Sequence, residues 1–400
     1  MKQTTFFVFL LTILLSISIL TGCEQSKPDI PAIWDGTVAD TFNAGIGTAK
    51  QPYEISSGAE LAYLAKQVNA GNEYADKFFA LTTDIDLNHL EWMPIGKGTY
   101  SFSGNFDGKQ HSILNISITN ITSFERYENS NTYTYGVAGL FGSCMDANIS
   151  NLSISDAVIK IPDIPEVDYL YAGILSGSMM VGNGCVVSNI DITNAEIVFD
   201  EQSTANALSA LHAGGIVGDA QIDPNSELTF EQLHVSVMAD CMYSSLNTNN
   251  VGSIAGYVTN HSAFWCSEFS SELFVMIQPE HYHSNVGAFG ALLLTNSRDD
   301  RVTLSSIKEG NSIVRSNFIV PDNPDSLYSG FETNVYAICG SIEYKPELTG
   351  GWGYSLYYLR GCVMPIEDTA NFSEPMTVLY VIPEGVLYRE DGCGGCCPTE

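Results

Sequence analysis

The sequence predicts an all-β protein, a right-handed parallel β-solenoid (β-helix) with a short N-terminal capping helix. Three observations predict it. First, a pattern of apolar-x-amide-apolar-x-apolar recurs as Ile113-Leu-Asn115-Ile116-Ser-Ile118, Ile149-Ser-Asn151-Leu152-Ser-Ile154, Val187-Ser-Asn189-Ile190-Asp-Ile192 and Phe230-Glu-Gln232-Leu233-His-Val235. Its central amides stand 36, 38 and 43 residues apart. Second, a Gly-rich apolar run travels in phase with it: Gly139-Leu-Phe-Gly142, Ile174-Leu-Ser-Gly177, Gly215-Ile-Val-Gly218, Ser253-Ile-Ala-Gly256 and Gly287-Ala-Phe-Gly290. Two markers in one phase describe stacked coils of similar build, one continuous body rather than several domains. Third, a single segment of the mature chain has the period of an amphipathic helix, and parallel crossovers between strands favour a right-handed path.

Residues 1–22 read as a lipoprotein signal peptide. Met1-Lys2 is a minimal basic start, Phe6 to Leu20 is apolar, and Leu20-Thr-Gly-Cys23 resembles a bacterial lipoprotein cleavage box. Cys23 would then carry the lipid, and several acyl chains at ~0.8 kcal/mol per buried methylene hold a protein firmly to a membrane. Residues 23–33, with Pro28 and Pro31, form a tether. The expected location is the cell envelope, on the outer membrane, with exposure at the cell surface left open.

Residues 34–112 form the cap and first strands. Ser57-x-x-Glu60 is a capping box, Leu61, Leu64, Ala65 and Val68 share one helical face, and Asn69-Ala-Gly71-Asn ends the helix. Such a helix covers the open strand edges of a first coil. Phe78 to Leu87 alternates as a strand, followed by short strands around Trp92-x-Pro94-Ile95-Gly96 and Phe102-x-Gly104-x-Phe106-Asp107-Gly108. Taken in order, Trp34-Asp-Gly36, Asp84-Ile-Asp86-Leu87, those two segments, the Asn115 motif and Gly139-Leu-Phe-Gly142 resemble the GLUG-motif proteins, bacterial surface and secreted proteins frequent in gut Bacteroidetes. The resemblance covers about residues 34–290, and it implies an exported repeat protein. From about residue 264 the pattern erodes, with Glu268 and Ser306 standing where the amide belongs.

Residues 113–345 carry the repeats. Apolar residues around each amide stack on their counterparts one coil away, Asn suits a repeated left-handed bend, and glycine suits close backbone approach. Polar segments at 123–135, 162–168, 200–208, 221–227 and 244–250 are expected to emerge as loops on one side. Residues 346–400 supply C-terminal strands, read as a cap, and a Cys-rich tail.

Composition narrows the partners. Acids outnumber bases 46 to 16, for a net charge of −30, which disfavours nucleic acid and anionic headgroups. Ten cysteines, nine after Cys23, do not space as a disulfide framework; Cys144, Cys185, Cys241, Cys266 and Cys339 read as small core residues. The tail Cys393-Gly-Gly-Cys396-Cys397 has half the ligands that a zinc site needs, and His281-Tyr-His283 lacks a third. No catalytic motif is present: no His-Glu-x-x-His, no Gly-x-Ser-x-Gly and no phosphate-binding Gly-Lys loop. Asp84, Asp86 and Asp107 are the acids an enzyme on this fold would use, or that calcium would use. Apart from calcium no cofactor is implied. Tyrosines such as Tyr133, Tyr135, Tyr169 and Tyr171 suit stacking on sugars, anchoring of a protein, or a ladder inside the solenoid. The expected function is non-catalytic binding or adhesion to a glycan or protein ligand. The alternatives are a carbohydrate-active β-helix enzyme, hydrolase or lyase, and a purely structural envelope component.

Overall fold

The computed structural model describes residues 31–128, 130–161, 167–199, 210–241, 248–260, 263–277, 283–287, 290–295, 301–305, 313–319, 332–336, 339–344 and 376–381, with side chains to Thr259. Cys23, the segment 200–208, His281 and the tail cysteines lie outside these residues. Among the described residues no helix is long and apolar enough to cross a membrane.

The described strands build three sheets, all-parallel but for two pairings, and so form a β-solenoid. Sheet I holds β5 (Asn105–Leu114), β10 (Asn148–Ser155), β14 (Cys185–Phe199), β17 (Glu227–Cys241), β20 (Ala263–Ile277) and β24 (Ile313–Ile319) as successive neighbours. Sheet II runs through β8 (Asn131–Ala138), β12 (Tyr169–Gly173), β15 (Ala210–Gly214), β18 (Thr248–Gly252), β21 (His283–Gly287) and β25 (Glu332–Tyr336). Sheet III runs through β9 (Phe141–Met145), β13 (Ser176–Val181), β16 (Val217–Ile222), β19 (Ala255–Asn260), β22 (Gly290–Thr295) and β26 (Cys339–Tyr344). The chain visits III, I and II in turn, once per coil.

Inward apolar residues make columns. Phe106, Ile149, Val187 and Phe230 are register partners on sheet I, as are Ile113, Ile154, Ile192 and Val235. All eight are essentially inaccessible to solvent, and each such side chain contributes about 1.5–3 kcal/mol by burial. A ring column runs beside them: Phe79 to Phe102 at 5.6 Å, then Phe102 to Phe141 at 5.1 Å. Cys144 and Cys185 belong to this core, as expected.

The glycine marker forms one column on sheet III. A Cβ built on Gly177 would meet the carbonyl of Gly142 at 2.9 Å, one on Gly218 that of Gly177 at 2.8 Å, and one on Gly256 that of Gly218 at 2.8 Å. A Cβ on Gly142 would strike the carbonyl of Gly96, so the column starts one coil earlier than the marker does. The same atoms would press on sheet II, since Gly218 faces Ala172 N and His212 O at 2.6 and 2.7 Å. Two backbones pass too closely there for any side chain.

The amide marker resolves into two rows. Asn151, Asn189 and Gln232 lie between consecutive partner pairs of β10, β14 and β17 and share left-handed φ of 54°, 53° and 52°. Asn115 is not in that row. Ile113 pairs with Ile154, so Asn115 follows the strand end and lines up with Asp156 and Asn194, at φ 59°, 56° and 55°. The true counterpart of Asn151 in the first coil is a bulge, Gly108-Lys109-Gln110, where Gln110 Nε2 donates to Asn151 Oδ1 at 3.2 Å. The motif around Asn115 has the right letters at a shifted register, because both rows demand the same backbone angle.

The N-terminal end is built from β1 (Ala32–Ile33), β2 (Tyr53–Ile55), β3 (Phe78–Leu81) and β4 (Ile85–Asp86), all joined in parallel to sheet I, with helix α1 (Gly58–Asn69). Glu60 N donates to Ser57 Oγ at 3.3 Å, and Glu60 in turn accepts from Ser56 N at 2.8 Å and Asn43 N at 2.9 Å. This is the expected capping box with its return bond moved one residue back. Leu61, Leu64, Ala65 and Val68 are buried in the main core. Trp34 packs on Gly58, where a Cβ would meet its ring at 2.5 Å, and meets Trp92 edge-on at 5.7 Å.

One expected loop is a strand pair. Residues 123–135 fold as an antiparallel hairpin of β7 (Thr122–Glu128) on β8, at the edge of sheet II. Its alternation Phe124, Arg126 against Tyr133, Tyr135 puts rings on one face, which loop-like polarity obscured. At the other end β27 (Met376–Val381) pairs antiparallel with β24, so sheet I closes on a reversed strand.

Candidate functional site

The three nominated aspartates are taken up by the fold. Asp84 Oδ1 accepts from Ser112 N at 2.8 Å and lies 3.2 Å from His111 Nδ1. Asp86 Oδ1 accepts from Asn88 N and from Asn115 Nδ2, both at 2.7 Å. Asp107 Oδ1 accepts from Lys109 N and Asn151 Nδ2, both at 2.9 Å, and its Oδ2 pairs with Lys109 Nζ at 2.7 Å. Partial burial works against ionisation of Asp107, but the bonds from Lys109 and Asn151 outweigh it and hold the carboxyl below its usual range. Asp84 and Asp86 do flank the buried Ile85, on one face as their spacing requires, yet each serves a different bend. Asp86 and Asp107 are the first acceptors of the amide rows: Asn189 Nδ2 donates to Asn151 Oδ1 at 2.8 Å, and Asn194 Nδ2 to Asp156 Oδ1 at 2.9 Å. Among the described residues no three His, Cys, Asp or Glu side chains form a metal-binding group.

Sheet II carries the surface with most chemical character. Tyr135 and Tyr169 are register partners with rings stacked at 5.1 Å, and Phe124 stacks on Tyr135 at 5.5 Å. Tyr133 meets Tyr169 edge-on at 5.8 Å, and Arg126 lies over Tyr135 with its Cζ 5.3 Å from the centroid. Tyr135 and Tyr171 are buried, whereas Phe124, Tyr133 and Tyr169 are half-buried. The tyrosines singled out from sequence are thus both ladder and surface.

The stack continues through Tyr171 to two residues that sequence reasoning missed, His212 and Tyr257. Tyr171 lies 5.2 Å from the His212 ring, which lies 4.5 Å from Tyr257. His212 Nδ1 sits 3.0 Å from Asp219 Oδ2, and Gln221 Nε2 donates to Asp219 Oδ1 at 3.0 Å. Asp219 is 1% exposed, so this is an interior polar pair joining sheet II to sheet III. His212 stands between Tyr171 and Asn250, and Asp219 between Ser178 and Tyr257, so polarity at these positions gave no signal in the sequence.

A concavity of about 410 Å³ opens between the segment after β1, the C-terminal half of α1 and residues 91–97. Trp34, Val38, Trp92 and Met93 give it apolar walls, and Lys66 and Lys97 stand on it.

Fold and surface together define a class: a parallel β-solenoid with an aromatic strip along one sheet. No family model matches the chain. Over 192 residues it is 30% identical to halomucin of Haloquadratum walsbyi (strain DSM 16790 / HBSQ001), covering 43% of this chain and 2% of that relative's length. A solved structure from Bacteroides ovatus, named a "putative immunoglobulin A1 protease", aligns over 79% of this chain and 84% of its own, at 18% identity and a TM-score of 0.38.

Proposed function

We propose that the protein is a lipid-anchored component of the cell envelope, held to the outer membrane through Cys23, that binds a glycan or protein ligand without turning it over. The observation that carries this reading is the strip of Phe124, Tyr133 and Tyr169, half-buried rings of the edge hairpin and the next strand, with Phe124 and Tyr169 stacked on Tyr135 and Tyr133 edge-on to Tyr169. Rings held at both edges lose little freedom when a flat ligand covers them, and they offer apolar faces at a regular spacing. Catalysis has less support, since the carboxylates of Asp84, Asp86 and Asp107 are each taken up by neighbouring backbone or amide donors. Calcium remains the one cofactor that the acidic balance favours, as a bridge to an anionic ligand.

The test is affinity electrophoresis of the mature chain through polysaccharide gels, with reducing-end release followed in parallel. Retention without release is expected, and the pair Tyr133→Ala with Tyr169→Ala should weaken it by about tenfold. Release of reducing ends that disappears in Asp107→Asn would replace the binding reading with the enzyme. Cys23→Ser should free the chain from membranes or leave its leader uncleaved.

A further inference from the structure

We infer that the face around the C-terminal half of α1 rests on the phospholipid surface to which the chain is tethered. The inference depends on the lipid-anchor reading of Cys23, while the face itself is marked by where the exposed apolar side chains lie. Among the described residues Ile33, Val38, Ile46, Met93 and Tyr100, at 39–66% exposure, belong to the N-terminal covering, against Met145 and Val186 in the coils that follow. Single apolar residues are ordinary on a surface, but a group of them marks a contact. Three of the five gather in one place. Val38 and Met93 flank the concavity of about 410 Å³, and both are open to solvent, at 46% and 58%. Tyr100, at 39%, lies beside it, with its ring against Gly71 just past α1 and its carbonyl accepting from Lys97 N at 2.9 Å.

The polar surround fits a headgroup layer. Lys66 and Lys97 stand on the same concavity, and a lysine can lay its methylene stem along apolar surface while its ammonium reaches a phosphate. Tyrosine works the same way, with an apolar ring and a wet hydroxyl. Acids stand there too: Glu91 on the concavity, with Asp35 and Asp40 either side of Val38, all three exposed. A face of both signs suits zwitterionic headgroups, which offer phosphate to the lysines and a quaternary ammonium to the carboxylates. It does not ask for the anionic lipid that a net charge of −30 repels. The balance also shifts along the chain. In residues 34–112, Lys50, Lys66, Lys77, Lys97 and Lys109 stand against 10 acids, whereas in residues 113–259 Arg126 and Lys160 stand against 16. Reach is the last constraint. Seven residues separate Cys23 from Pro31, so at about 3.6 Å per residue the start of sheet I stays within roughly 30 Å of the lipidated residue. A tether that short gives an effective concentration of about millimolar over the bilayer, so even a weak face is occupied.

The test places the lipidated chain in phosphatidylcholine vesicles, floats them on a density gradient, and then follows methionine oxidation by hydrogen peroxide, peptide by peptide. Met145, 39% exposed on β9, is the internal control for Met93 at 58%. Exposure alone makes Met93 the faster of the two, but on vesicles it should oxidise at least about fivefold more slowly than Met145. Val38→Asp with Tyr100→Asp should float equally well and restore fast oxidation of Met93. Both side chains are exposed, so this variant should unfold at close to the parent temperature. A chain that floats while Met93 keeps pace with Met145 overturns the docking and leaves the anchor standing; a chain that does not float overturns both. Protection that survives in the double variant would also overturn the lipid contact. Protection that rises with the ratio of protein to lipid would overturn it too, and would give the face to a second copy of the chain.

Discussion

At the scale of single residues, the glycines and acids act through contact with backbone. Gly218 has no positive φ, so its requirement is spatial: a methyl group there would press on Ala172 N, His212 O and Gly177 O at 2.6–2.8 Å. None of these can swing aside, so Gly218→Val should cost about 3 kcal/mol, as overpacking against fixed backbone does. Chemical denaturation would measure it, and a cost near that of a loop substitution would contradict the column. Asp146 caps a turn by accepting from Gly182 N at 2.7 Å and Asn183 N at 2.9 Å. Partial burial opposes its charge, but these bonds prevail and its pKa lies below the usual value. A depressed carboxyl stabilises the fold above its unfolded pKa and loses that contribution as pH falls through the folded one. The unfolding midpoint should therefore drop on going from about pH 5 to about pH 3, and drop less in Asp146→Asn. Burial pushes the Cys144 thiol up to about 12 and raises Cys185 as well. Both should stay unlabelled by thiol reagents at neutral pH until the chain unfolds.

At the scale of elements, His212 and Asp219 tie β15 to β16 within one coil. Truncating His212 leaves a carboxylate at 1% exposure that still accepts from Gln221. His212→Ala should cost about 3 kcal/mol or more, and Asp219→Asn less, since an amide is cheaper to bury than a charge. Equal effects in a thermal melt would show that packing between the two tyrosine rings, not the pair, is what matters. Much of this level was legible beforehand. The core columns, the glycine column and α1 follow from spacing, because a solenoid imposes one environment on every coil. The Asn115 register was not, since a left-handed bend selects Asn in either row and letters cannot tell the rows apart. The hairpin was hidden for a related reason: an edge strand with one wet face has the polarity of a loop. The His212 pair left no mark in the pattern, because neighbouring coils also carry polar residues at its positions, Asn250 and Ser178. The aspartates were visible as a group of three, yet only the bonds from Asn115 and Asn151 show that two of them are row ends.

At the scale of the whole molecule, the strand array has two different ends. The N-terminal one is covered by α1 and short strands, and the other meets β27 in antiparallel pairing on sheet I. Stability in such an array adds coil by coil, so both coverings protect edges rather than hold the middle together. Placing Asp at Leu61 and Leu64 should lift α1 from the core, expose β2 and β3, and drive concentration-dependent association seen by light scattering; a monomer of reduced stability would count against the covering role. The rows of amides add a sense of direction to this body. Asn189 gives its proton to Asn151, Asn151 gives its own to Asp107, and Asn115 gives its own to Asp86. These three donations point toward the N-terminus and finish on a carboxylate, while Gln110 in the coil before gives its proton the other way, to Asn151. Such a chain of donors is a thread with a knot at its beginning. A carboxylate has no proton to hand on, so each row ends where its aspartate stands. The rows thus mark their own first coil, a boundary that repetition alone could never mark.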